Sequence, residues 1–292
     1  MKRRIITTGL LIALAFGSVY AQTDRALKKA DKKYSLYSYA DAVVLYEALY
    51  DKNPSDALAV KAADCHFKMN ELSEAKQWYD KIEDKKSLAA EHHLHYGNTL
   101  ESVGDYDQAA KWYKIYKAES NETRGKRKHY GATNVSSYFR DSARYSIEHL
   151  PINTKYSDFS PAYFEDGIVF ASARVHEVGS QHTFKWDNTS FLDLYYSRYD
   201  SVNNDYSKPD YFNSRLNTKF HEGPLSFDGT NDKVIFTRNN YFKSRRKKSD
   251  DKVVKLKMYY TERQAELSGQ HGWSTIKAVS YTHLTLPTIL LV

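Results

Sequence analysis

Three stretches of this chain repeat the same arrangement at a nearly fixed distance. Tyr39, Leu72 and Tyr106 are each followed three residues later by an alanine, at Ala42, Ala75 and Ala109. Four residues further on comes a tyrosine, at Tyr46, Tyr79 and Tyr113. The step from Tyr39 to Leu72 and the step from Leu72 to Tyr106 differ by a single position. Spacings of three and four place these positions on one helix face. A unit of this size cannot bury such a face alone, so the pattern demands stacked neighbours. The expectation is a solenoid of helix pairs over residues 22–121, and an unrelated helical bundle does not explain the fixed period.

The third unit carries the fullest pattern. His93, Tyr96, Gly97 and Leu100 fall on one helix, a turn follows at Gly104-Asp105, and Tyr106, Ala109, Tyr113 and Tyr116 fall on the next. Gly97 and Ala109 sit where paired helices cross and a larger side chain would push the backbones apart. The second unit repeats this with Ala62, Ala63, Leu72, Ala75, Tyr79 and Ile82, and the first ends at Asn53-Pro54, where proline stops a helix for want of a backbone donor. This pattern resembles the tetratricopeptide repeat (TPR). The resemblance implies a binding scaffold whose first helices line a groove. By register, Val60, Asp64, Leu94, Asn98 and Glu101 are the groove candidates, because packing does not consume those first-helix positions.

Lys2, Arg3 and Arg4 precede an apolar run from Ile5 to Phe16, and Val19-Tyr20-Ala21 supplies a cleavage signature. Residues 1–21 therefore read as a secretory signal peptide, the run being shorter than the roughly 20 residues of a membrane span. Three of the 43 basic residues lie in that segment; without them basic residues exceed the 36 acidic ones by only four, which weakens a nucleic-acid reading. Cys65 is the only cysteine, so no intramolecular disulfide exists, and a packed thiol is its expected role.

Residues 122–143 change character. Arg124, Lys126, Arg127, Lys128 and His129 form a basic run ahead of Gly131, Thr133 and Asn134, which reads as a linker or cap. From Arg144 to 278 short alternating stretches replace the helical period: Tyr145, Ile147 and His149; Ile168 to Ala171; Leu192, Leu194 and Tyr196. Part of this region recurs. Pro161 and Phe164 correspond to Pro224 and Phe227, Ile168–Phe170 to Val234–Phe236, and Leu194–Tyr196 to Met258–Tyr260, at closely similar offsets. A duplicated strand unit follows.

The segment Tyr156-Ser157-Asp158-Phe159-Ser160-Pro161-Ala162-Tyr163-Phe164, continuing to Arg174, resembles the blade motif of WD40-like (PD40, or TolB-like) β-propellers. Signal peptide, TPR repeats and such blades together resemble exported OmpA-family proteins of Bacteroidetes. The fold expectation is a multidomain α and β chain, a TPR solenoid followed by an incomplete propeller of about two to three blades. The resemblance implies a periplasmic, outer-membrane-associated scaffold, tied to outer-membrane and peptidoglycan organisation or to type IX secretion and gliding. Its partners would be envelope proteins or peptides. Peptidoglycan would be reached through an OmpA-like domain that does not appear here. Residues 279–292 resemble translated sequencing-adapter text and read as non-native.

Catalytic signatures are scarce. His92 and His95 share a helix face, yet no cysteine or carboxylate pattern nearby in sequence completes a metal site. Asp158, Asp166, Glu222 and Asp228 read as turn or strand-end residues. The basic run Lys243, Arg245, Arg246, Lys247, Lys248, Lys252, Lys255 and Lys257 reads as a solvated loop between strands, with an anionic envelope surface as the alternative. The expectation is a non-catalytic adaptor with no cofactor, no metal, no nucleic-acid partner and no membrane span after signal removal. The alternative is a TolB-like propeller that binds a small ligand or acts as a hydrolase.

Overall fold

Three helices of the amino-terminal half end in the same way. Tyr37, Asn70 and Gly104 adopt left-handed backbone, with φ of 58°, 63° and 84°. The residue after each donates its N–H back five positions: Ser38 to Lys33, Glu71 to His66 and Asp105 to Leu100, at 3.0, 2.9 and 2.9 Å. This bond satisfies carbonyls that the helix end would otherwise orphan, and the chain reverses into the next helix. The repeat period is thus also a period of turns. The computed structural model describes residues 23–120, 123–175, 183–242, 245–246, 254–264 and 272–279. The signal-peptide segment, the tail from 280 onward and the parts of the basic run at 243–244 and 247–253 lie outside them.

The chain divides into two units, the first taking residues 1–146 with 185–188. Its first helix, α1, is described over 23–35. There follow α2 (Tyr39–Lys52), α3 (Asp56–Lys68), α4 (Leu72–Asp80), α5 (Ala90–Ser102), α6 (Tyr106–Ser120), α7 (Thr123–Thr133) and the short α8 (Val135–Tyr138). Ser55 caps α3 by accepting from Leu58 N–H. Ala42, Ala75 and Ala109 are wholly buried, and so, within 1%, are Tyr46, Tyr79 and Tyr113. Small residues let paired helices approach while tyrosine fills the space beside them. The basic segment after 122 forms α7, packed on α6 through the buried Gly125 and Ala132. Thr123 opens α7 one repeat step after Ala90 opens α5, so α7 takes the position of a fourth first helix. Trp186 belongs to this unit: it stacks on Tyr37 at 6.1 Å, meets Tyr39 edge-on at 4.8 Å, and donates to Lys68 carbonyl at 2.6 Å.

The second unit is antiparallel sheet. Strands β1 (Asp158–Phe164), β2 (Gly167–Ser172), β3 (Asp193–Asp200) and β4 (Asp205–Tyr206) lie in order, with β5 (Asp210–Tyr211) also paired to β3. A second sheet runs β6 (Glu222–Phe227), β7 (Lys233–Asn239), β10 (Leu256–Glu262) and β11 (Lys277–Ala278), and β8 (Tyr241–Phe242) pairs with β9 (Arg245–Arg246). Phe164, Leu194, Phe212, Phe236, Tyr259 and Trp273 share the main core.

The duplication holds in the registers, with Phe170 opposite Tyr195 and Phe236 opposite Tyr259. Both first strands carry a bulge where Pro161 and Pro224 interrupt the ladder. Among the described residues the sheets do not close into a ring. One expected strand is absent: among the described residues, 145–150 join no sheet, Tyr145 and Ile147 being 73% and 96% exposed. Alternation alone does not make a strand where neither face finds a core.

Candidate functional site

The second helices of the repeats aim one tyrosine each at the first helix of their own repeat. Tyr46 donates to Asp31 at 2.7 Å and Tyr113 donates to Asn98 at 2.9 Å. By the same register Tyr79 corresponds to Asp64, but its hydroxyl is buried and has no hydrogen-bond partner among the described residues. Asp64 is already engaged: His95 Nδ1 lies 2.8 Å from its Oδ1, and Tyr34 donates to its Oδ2. Asp64 and His95 are 4% and 7% exposed. Burial pushes the Asp64 carboxyl upward, yet the hydrogen bonds from His95 and Tyr34 outweigh this and hold it below the usual aspartate value. It is therefore a buried carboxylate. Burial, followed by the Asp64 charge, pushes the Tyr79 phenol upward, so that hydroxyl stays neutral.

His92 stands on α5 one turn before His95. Its Nδ1 is buried and unpartnered, and burial lowers its pKa, which keeps the ring neutral. A cavity of about 450 Å³ opens beside these groups, lined among others by Tyr34, Val60, Lys61, Asp64, Leu88 and His92. Its walls come from α1, α2, α3 and α5, so stacking of repeats, not one repeat, creates it. A second cleft of about 680 Å³ has Glu101 on one side and Arg124, Arg127 and Lys128 of α7 on the other. Lys128 pairs with Glu101 at 2.6 Å.

The five groove candidates separate accordingly. Val60 and Asp64 meet in the first cavity, and Glu101 lines the second. Leu94 is 5% exposed within the helical core, and Asn98 is held by Tyr113; neither lines these cavities. Sequence reasoning missed His92 and His95 as neighbours of a carboxylate, because Asp64 belongs to the preceding repeat, far from His95 along the chain. The repeat register carries that signal, since stacking sets equivalent first helices side by side. Cys65 is buried in the core, and burial pushes its thiol upward, away from reactivity.

In the sheet unit, two acids lead the duplicated strands. Thr154 gives its N–H and hydroxyl to Asp158 at 2.6 and 2.7 Å, and Thr218 gives the same groups to Glu222 at 3.0 and 2.7 Å. The sequence signal for this pair is Asn153-Thr154-Lys155 returning as Asn217-Thr218-Lys219, one duplicated unit further on. Arg174 pairs with Asp158 at 2.9 Å and lies 5.0 Å from the rings of both Phe170 and Tyr195. Arg238 takes the matching place over Phe236 and Tyr259, at 5.6 and 4.5 Å. These groups are spent on internal structure.

Among the described residues no helix is long and apolar enough to cross a membrane. No protein-family model matches the sequence, and no curated protein matches it. Solved structures similar to it include the first TPR domain of Spaghetti (RPAP3) bound to the HSP90 peptide SRMEEVD, at 14% identity, TM-score 0.35, covering 39% of this chain and 93% of that one. The Sgt2 TPR domain from Aspergillus fumigatus matches at 13% identity and TM-score 0.35, over 46% of this chain and 91% of that one. The amino-terminal domain of stress-induced protein-1 (STI-1) from C. elegans matches at 18% identity and TM-score 0.32, over 38% of this chain and 97% of that one.

Proposed function

We propose that the helical unit is a protein-interaction module that holds an extended segment of a partner against its first helices, and that the chain acts as a non-catalytic adaptor. The observation that carries this is the cavity of about 450 Å³ walled by helices of successive repeats, with Val60 as an apolar lining residue and Asp64, Lys61 and Tyr34 as polar ones. A concave surface of mixed character, built on rigid helices, binds a chain segment with side-chain pockets and directional hydrogen bonds.

The sheets form the second half of the adaptor, and we infer that they are blades of a propeller. The support is the duplicated register with its repeated threonine–acid and arginine–aromatic contacts. A periplasmic setting at the outer membrane rests on the amino-terminal sequence from Lys2 to Ala21 and on the blade resemblance. Peptidoglycan contact, type IX secretion and gliding rest on the family resemblance alone.

The test is selection of a displayed peptide library on the purified protein, followed by affinity measurement against two variants. Val60→Glu places a charge in the cavity lining, whereas Val44→Glu changes a 62% exposed position on α2 that does not line the cavity. Peptides that bind the groove lose affinity for the first variant and keep it for the second. Peptides that bind Val60→Glu as well as wild type would sink the groove assignment.

A further inference from the structure

Asp64, His92 and His95 bring one carboxylate oxygen and two imidazole nitrogens to within 4.8 Å of one another. His95 packs in the core, stacked on Phe67 with ring centroids 4.1 Å apart, and His93 is wholly buried and held by Glu119 at 2.7 Å and the Lys85 carbonyl at 2.9 Å. His92 instead leaves Nδ1 buried, and the hydroxyl of Tyr79, whose register corresponds to Asp64, is likewise buried; among the described residues neither has a hydrogen-bond partner. Orphaned polar atoms beside a buried carboxylate are costly unless a further group satisfies them.

We propose that Asp64, His92 and His95 form a binding site for one divalent transition-metal ion, with Zn²⁺ as the reference ligand. Two imidazoles and a carboxylate are a donor set that zinc accepts with a fourth position left open. Ligand atoms about 2.0–2.1 Å from zinc stand roughly 3.3 Å from each other in a tetrahedron. The 2.8 Å contact between Asp64 and His95 therefore opens slightly, and the widest separation in the set closes from 4.8 Å or less, both within the reach of side-chain rotation. Asp64 Oδ2 keeps the Tyr34 hydroxyl, an outer partner that fixes the carboxylate. Asp64 and His92 both line the cavity, so a water or a partner's side chain entering it would complete the coordination. The ion would tie α3 of the second repeat to α5 of the third.

Calorimetric titration of Zn²⁺ into the purified full chain, with Co²⁺ absorption as a readout of coordination, tests the site. One ion per chain is expected. His92→Ala is the cleanest variant, because the His92 Nδ1 makes no hydrogen bond that the fold would lose. Tyr34→Phe removes only the outer partner and weakens binding by roughly 10–100-fold, and His92→Ala weakens it by at least as much. His149→Ala, at an exposed position, keeps wild-type affinity. If wild type takes up no ion, or if His92→Ala and Tyr34→Phe bind as wild type does while circular dichroism shows them folded, the proposal is overturned.

Discussion

Asp64 and His95 meet at 2.8 Å, Oδ1 to Nδ1, across the boundary between the second and third repeats, and both are nearly excluded from water. This bond joins helices that share no turn. It lets a buried charge stand in the middle of a helical solenoid, because His95 and Tyr34 solvate the carboxylate in place of water.

Asp64→Asn should therefore destabilise the helical unit by about 1–3 kcal/mol, the usual cost of leaving buried partners unsatisfied. The carboxylate's folded pKa lies below its ordinary 3.8, so folding favours the ionised form. Its contribution is fully present above that ordinary value and is lost as pH falls through the folded value. Urea unfolding followed by far-ultraviolet circular dichroism should show wild type losing more stability than Asp64→Asn on acidification below pH 3.8. Parallel acid limbs would remove the carboxylate from the account.

Gly97→Ala and Gly104→Ala should both destabilise, for different reasons. A Cβ at Gly97 would stand 2.6 and 2.7 Å from ring atoms of Tyr113, a buried side chain pinned by Asn98 and Glu101. The clash costs about 1–3 kcal/mol, more than the helix propensity gained from alanine. At Gly104 nothing lies within 4 Å, but φ is +84°, where an alanine costs roughly 1 kcal/mol. In a Tyr113→Ala background, which removes the ring atoms that a Cβ at Gly97 would meet, Gly97→Ala should cost less than it does in wild type, whereas Gly104→Ala should cost the same in both. Thermal melts of Tyr113→Ala, of each glycine variant and of the two double variants separate the two causes.

The helical half was legible because packing wrote a period into it: alanines at crossings, tyrosines beside them and a left-handed turn after each of α1, α3 and α5. The basic segment at 123–133 hid its helix, since its apolar content is small and its charges dominate; Gly125 and Ala132 carry the packing instead. Tyr145 and Ile147 misled in the opposite sense, alternating like a strand with no partner to pair them. Of the positions singled out by register, Val60 and Asp64 line one cavity. Leu94 does not, because the same register position turns into the core one repeat later. The Asp64, His92 and His95 set could be found only by stacking repeats in space, as its members come from two of them.

Glu222 and Asp158 occupy matching places and should respond to pH in opposite directions. Burial drives the Glu222 carboxyl up to about 8, more than its Thr218 hydrogen bonds pull it down, so it is neutral at pH 7. Folding then favours the protonated form, and stability declines as pH rises from 4.5 toward 8. For Asp158 burial also pushes upward, but bonds from Ser172, Arg174 and Thr154 win and hold it below 3.8. Glu222→Gln should flatten the decline on the alkaline side, whereas Asp158→Asn should destabilise at neutral pH. Carboxyl-carbon NMR titration reads both groups directly, and a Glu222 midpoint near 4.5 would refute its burial-driven shift.

Arg174→Lys should weaken the first sheet although it keeps the charge. The Arg174 guanidinium spans the Ile152 carbonyl at 3.0 Å and Asp158 at 2.9 Å while lying 5.0 Å from two aromatic rings. A lysine offers a point charge without the planar fork or the stacking face, so it cannot meet all these groups together. A loss of roughly 1–3 kcal/mol follows from the charged hydrogen bonds it abandons. With one guanidinium bond fewer, the Asp158 carboxyl should also titrate at higher pH than in wild type. The carboxyl titration of Asp158 in this variant distinguishes the two roles: an unmoved midpoint with lowered stability would assign Arg174 to aromatic packing alone.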